Sequence, residues 1–283
     1  MLLFLRGAPM KQALLTVFLG CAAVQSIAAP VRSQTFTLES AALSEIRRIN
    51  VFVPIGHGGE AGAPLPVLYM PDGGNAEDFP HVAETVQTLV AAGRMIPVLL
   101  VGIENTERRR DLTGPTTVAS DKRIAPRVGG SAAFRQFIRT ELMPHIRSHY
   151  RTTADSGIVG ESLAGLFIVE TLLAEPALFD RYVAISPSVW WNDEALVRAA
   201  DARIKALPAT PKRIFLTSAD EENIVPGTAR LAASLRAHAP AKVSWTYRPM
   251  PTERHDTIYR ASAALALESV YGTGTGKAPD AGP

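Results

Sequence analysis

The 283-residue chain has a single cysteine, Cys21, which excludes an intramolecular disulfide framework and any cysteine-built zinc centre. It also lacks an excess of charge of either sign. The first 28 residues carry Arg6, Lys11 and no acid, and setting them aside leaves 27 basic and 27 acidic residues. No long basic run occurs elsewhere, so binding to nucleic acid or to a membrane surface has no electrostatic support. Nor is there an apolar run long enough to span a bilayer, which takes about 20 residues; the longest, 13–24, stops well short. Tryptophan is scarce, yet two of the three stand side by side as Trp190 and Trp191. What remains is the composition of an ordinary globular chain, 47% apolar and 20% charged, with ample length for a sizeable core.

Met10-Lys11, the apolar stretch 13–24 and Ser26-Ile-Ala28 fit a secretory signal cleaved after Ala28, with Met10 as an alternative start. The expected location is therefore periplasmic or secreted. Lipidation at Cys21 is the alternative, although Phe18 and Leu19 fit a lipobox poorly. At the other end, the Gly- and Pro-rich tail 273–283 reads as disordered.

Between these ends, short apolar runs alternate with amphipathic segments. Strands are expected at 35–39, 46–54, 66–70, 96–103, 157–160, 182–185, 213–217 and 243–247. Helices are expected at 76–92, 131–150, 163–174, from about 191 to 207, 228–239 and 257–270, with a long loop at 104–130. The alternation predicts a single α/β domain over 29–272, with a mostly parallel sheet covered by helices on both faces.

Gly160-Glu-Ser162-Leu-Ala164 lies where a strand gives way to a buried helix, the setting of a nucleophile elbow, with Ala164 at the usual second glycine. In hydrolases built this way an acid and then a histidine follow the nucleophile, each just past a strand end. Two histidines lie beyond Ser162: His238 falls inside a helix, and His255 follows the strand at 243–247. His255 is therefore the expected base. The acid lies among Asp220, Glu221 and Glu222; a Gly-x-x-acid spacing counted from Ala219 favours Glu222, then Asp220. Its task is to orient the imidazole and stabilise the imidazolium. Oxyanion donors are expected at the amide of Leu163 and in the Asp72-Gly-Gly-Asn75 turn, at Gly74 or else Gly73.

Val67-Leu-Tyr-Met-Pro-Asp-Gly73, Val101-Gly-Ile103, Arg109-Arg-Asp-Leu-Thr113, Gly160-Glu-Ser-Leu-Ala-Gly-Leu166, Ile185-Ser-Pro-Ser-Val-Trp-Trp191 and Glu253-Arg-His255 resemble the Putative esterase (esterase D-like) family. Within it, the pattern is similar to exported siderophore esterases of the enterobactin-hydrolysing type. The resemblance covers roughly residues 35–270. It implies an alpha/beta-hydrolase fold and ester hydrolysis through a serine-bound acyl intermediate, with no metal or other cofactor. Two departures are Ala164 for glycine and Glu253-Arg-His-Asp-Thr257 for a more usual Glu-x-His-Gly-Ser.

Only one helix fits between Pro187 and Lys212, which leaves no room for a large cap and implies an open site for a small-molecule ester. Trp190, Trp191, Arg109 and Asp72 are the expected substrate-binding residues, one of the two tryptophans lining the site. The plainer reading pairs Arg109 or Arg110 with Asp111 or Glu161. A carbohydrate or feruloyl esterase, an acyltransferase of the same fold and a non-catalytic ligand-binding protein are the alternatives.

Overall fold

The structure, a computed structural model, describes residues 33–58 and 62–274. The expected export signal, and all but the first two residues of the expected tail, lie outside the described residues. The apolar and β-branched runs become strands β1 (Ser33–Ser40), β2 (Glu45–Phe52), β3 (Leu65–Pro71), β4 (Leu99–Ile103), β5 (Thr152–Glu161), β6 (Arg181–Ile185), β7 (Lys212–Ser218) and β8 (Val243–Pro249). They form one sheet in the order β1-β2-β4-β3-β5-β6-β7-β8. β2 runs antiparallel to β1 and β4, and every later neighbour is parallel. This is the alpha/beta-hydrolase fold, as expected.

The helices are α1 (Phe79–Ala91), α2 (Arg108–Asp111), α3 (Ala119–Lys122), α4 (Ser131–Phe137), α5 (Met143–His149), α6 (Leu163–Ala174), α7 (Trp191–Lys205), α8 (Val225–His238) and α9 (Ile258–Tyr271). Two cores result. Leu68, Met70 and Val159 face Val86, Leu89, Leu267 and Val270 of α1 and α9. On the other side, Tyr69, Val101 and Ile158 face Phe134, Ile146, Phe167, Ile204 and Leu231. Adjacent Ile158 and Val159 enter opposite cores because strand side chains alternate. α6 is buried on nearly every side, so it needs no polar face; truncating Phe167 in its middle to alanine should cost about 3–5 kcal/mol.

Three departures from the expected elements have local causes. β4 begins at Leu99 rather than 96, because Pro97 has no N–H for a ladder and the Ile96 amide turns to Tyr271 O, 3.0 Å away. The helix expected over 131–150 contains a π turn at 138–142 just before Pro144, where the missing N–H breaks the regular bond pattern. The loop 104–130 carries two short helices, α2 and α3. Arg47, fully buried, anchors α2: its guanidinium reaches Asp111 at 2.5 Å, Thr106 at 2.8 Å and Glu104 O at 2.9 Å. Removing Arg47 would leave Asp111 with Arg110 alone, through Nε at 2.7 Å, and would empty a fully buried site.

Candidate active site

β5 ends at Glu161 and α6 begins at Leu163, so Ser162 alone makes the turn between them, at φ 59° and ψ −118°. A non-glycine residue is rare in that conformation, and such strain accompanies functional positions. The turn closes because its neighbours are small. A Cβ on Gly160 would fall 2.6 Å from that of Ala164, and one on Gly165 would fall 3.0 Å from Pro187 Cα. Ala164 therefore fits the second glycine position, while Gly160 has no substitute.

The carboxyl ends of β7 and β8 bring the other groups to this turn. His255 Nε2 lies 2.9 Å from Ser162 Oγ, and its Nδ1 lies 2.6 Å from Glu221 Oε1. The expected pairing of Ser162 with His255 is present. The expected acid Glu222 is not beside it: Glu222 is exposed and its carboxylate has no partner among the described residues, and Asp220 is exposed too. Glu221 is selected by contacts that a residue count does not contain. Ser186 Oγ donates to Glu221 Oε2 at 2.5 Å, and the Asp220 amide bonds Glu253 O at 2.9 Å, drawing this loop against the one that carries His255. The amides of Ile224 and Val225 then close on Glu221 O, leaving Glu222 on the outside of the turn.

Ser186 and Ser188 are the residues that sequence reasoning passed over, although both lie in the Ser-Pro-Ser-Val-Trp-Trp segment it singled out. Ser186 is itself at φ 40°, with its amide on Thr217 O. Ser188 places its hydroxyl 3.3 Å from Ser162 Oγ and its amide 3.0 Å from Ser162 O. The signal was the serine pair itself, polar side chains at the end of a buried strand.

Leu163 is the first residue of α6, so its amide is one of those that a helix leaves without an intrahelical acceptor, and it adjoins Ser162. Gly74 does not fit its expected part. Its amide donates to Glu77 Oε2 at 2.7 Å, and the Gly73 amide to Ile103 O at 3.0 Å, so both candidate donors in the turn are engaged. Gly73 is glycine for another reason: a Cβ there would lie 2.2 Å from the backbone of Ile103.

Asp72 and Trp191 are also corrected. Asp72, buried at φ 56°, accepts Arg108 through both oxygens at 2.7 and 2.8 Å and Asn105 at 2.5 Å, leaving it fixed in the turn rather than open to substrate. Trp191 is 3% exposed and donates Nε1–H to Gly114 O at 2.9 Å, which pins the long loop. Trp190 is partly exposed, its ring 6.1 Å from that of Trp191. Of the three consecutive arginines, Arg108 is taken by Asp72 and Arg110 by Glu45 and Asp111, which holds Glu45 down at about 2. Arg109 is exposed and its side chain has no ion pair among the described residues.

A match to the family model described as Putative esterase covers residues 40–255. The chain belongs to that family. It is 32% identical over 177 residues to the ferri-bacillibactin esterase BesA of Bacillus subtilis, covering 56% of this chain and 60% of that protein. It is 32% identical over 154 residues to the siderophore triacetylfusarinine C esterase of Aspergillus fumigatus, covering 50% of each. The chain thus spans half to three-fifths of the length of these curated relatives. Among solved structures, it is similar to an IroE-like serine hydrolase from Shewanella oneidensis, with a TM-score of 0.74 and 26% identity over 84% of this chain and 79% of that one. The Shigella flexneri enterobactin esterase FES shares the fold, with a TM-score of 0.67 and 21% identity over 85% of this chain and 59% of that one.

Proposed function

We propose that this member of the esterase family is a serine esterase acting on the ester bonds of a siderophore. The observation that carries the reading is the unbroken chain Glu221–His255–Ser162, with contacts of 2.6 and 2.9 Å, mounted on a strained elbow. Ser162 Oγ attacks the ester carbonyl as its proton passes to His255 Nε2, and Glu221 stabilises the imidazolium. The Leu163 amide offers a donor for the oxyanion. Collapse of the tetrahedral intermediate expels the alcohol, which takes the proton from His255. Water, activated by the same imidazole, then releases the acid and restores Ser162.

The substrate class rests on the relatives' names and on the open edge. One helix alone, α7, fills the chain between β6 and β7, so no large cap covers Ser162 there and a bulky ester has access. An export signal ending at Ala28 would place the reaction outside the cytoplasm. The test is acid release from p-nitrophenyl butyrate and from a catecholate trilactone, with and without bound iron, by the wild type and Ser162→Ala. Serine-dependent cleavage of the trilactone at low concentration is the expected result. Cleavage of the small ester alone would overturn the siderophore assignment, and no serine-dependent turnover on either, with no fluorophosphonate labelling, would overturn the esterase.

A further inference from the structure

Glu161 ends β5 one residue before Ser162 and takes no part in the chain of contacts to Glu221. It lies two positions beyond Val159, hence on the face of the sheet covered by α1 and α9. Its Oε1 is buried without a hydrogen-bond partner. Parallel register pairs Tyr69 with Ile158 and so brings Asp72, just after β3, level with Glu161; Asp78 before α1, Arg108 of α2 and Glu221 after β7 also act on it through their charge. Tyr259 of α9 feels the charge of the same carboxyls, and its hydroxyl and His81 Nδ1 are buried and unpartnered too. His81 Nε2 lies 3.2 Å from Asp78 Oδ1, and its ring meets Tyr259 edge-on.

Among these groups Arg108 is the one permanent cation, and both of its contacting nitrogens already hold Asp72. Asp72 needs that grip, because its backbone sits at φ 56° where the chain turns into Gly73 and Gly74. β3 and β5 are neighbours in the sheet, so this turn lies beside Ser162.

We propose that Glu161 is a proton-linked positioning residue: as a neutral acid it leaves Arg108 to Asp72, and as a carboxylate it draws Arg108 away and loosens the 72–75 turn beside the nucleophile. The idea rests on the esterase reading. Burial, with Asp78, Asp72 and Glu221 adding repulsion that Arg108 offsets only in part, pushes the Glu161 carboxyl up to about 8. The neutral form therefore dominates at pH 7, and the site opens on its alkaline side.

The experiment is a pH profile of kcat/KM on p-nitrophenyl butyrate, and of the rate of fluorophosphonate labelling at Ser162, from pH 5.5 to 10. Each variant is normalised to its own maximum. The wild type should give a bell whose alkaline limb falls about tenfold per pH unit beyond a midpoint near 8, and Glu161→Gln should keep the acid limb and lose the alkaline one. A wild-type plateau extending to pH 10, or an alkaline limb that persists in Glu161→Gln, overturns the proposal while leaving the serine esterase intact. No labelling at any pH would instead remove the esterase reading beneath it. If Glu161→Gln does not fold, infrared difference spectra of the wild type decide the matter. A buried protonated-carboxyl band at pH 7 that disappears in step with the alkaline limb supports the proposal, and a band absent at pH 7 overturns it.

Discussion

The two sides of Ser162 are built on opposite principles. Toward β6–β8, each group of the Glu221–His255–Ser162 chain meets a partner: Glu221 takes Ser186 on one oxygen and His255 on the other, and His255 spends its second nitrogen on Ser162. Toward β3 and β4, the carboxyls of Asp72, Glu77, Asp78 and Glu161 crowd around Arg108, Asn105, a backbone amide and an imidazole. The paired side has one stable arrangement, as proton transfer over a fixed distance requires. The under-compensated side has a charge state that depends on pH, because like charges in a poorly solvated place cannot all ionise.

The strongest way to break the comparison is to move the acid. Glu221→Gln should lower kcat by about 10²–10⁴, since a neutral amide neither stabilises the imidazolium nor enforces its tautomer. Glu222→Gln should stay within about twofold of wild type, its carboxylate being exposed and free of contacts. Steady-state kinetics on an activated ester separates the two. Equal losses, or a larger loss from Glu222→Gln, would return the acid to the place that spacing alone suggests.

That pair of mutants also marks the boundary of what the residues reveal by themselves. The strand positions, the tight turn at Ser162 and the approach of His255 to it were legible because alternation, small residues and position past a strand end are properties of contiguous sequence. The selection of Glu221 was not, because three acids stand in a row and Ser186, which bonds it, lies 35 residues upstream, just past another strand. Gly74 looked like a free donor because nothing in Asp-Gly-Gly-Asn announces that Glu77 folds back onto its amide. Trp191 beside Trp190 looked like a ligand-facing surface, whereas a carbonyl at Gly114 claims one indole and leaves the other partly exposed. The consecutive arginines 108, 109 and 110 are divided by the fold between two carboxylate clusters and solvent. In each case the deciding contact is polar.

A milder change sharpens the paired side. Ser186→Ala removes the hydroxyl that holds Glu221 Oε2 and that also accepts the Ala219 amide at 3.2 Å. Histidine orientation should relax rather than fail, with kcat down about tenfold, KM little changed and about 1 kcal/mol lost from stability. Ser186→Thr, which retains the hydroxyl, should recover most of the rate. A kcat equal to wild type would mean that His255 alone holds Glu221 in place.

The smallest expected effect is thermodynamic and falls on the under-compensated side. The Glu161 carboxyl, raised to about 8 by burial and by Asp78 in the fold, ionises near 4.3 in an unfolded chain. Between those values the native state holds a proton that the unfolded state has released, so this group's contribution to stability declines as pH rises. It is fully present below about 4.3 and lost by the time pH has passed 8. Glu161→Gln has no proton to lose. Its Tm relative to wild type should therefore climb between pH 5 and pH 8 and level off above. The same substitution at Glu194, which pairs with Arg230 at the surface, should show no such climb. Thermal unfolding at five pH values distinguishes the cases. A Tm difference independent of pH would mean that the β3–β4 side is compensated after all, and the contrast between the two sides of Ser162 would then lie in geometry alone.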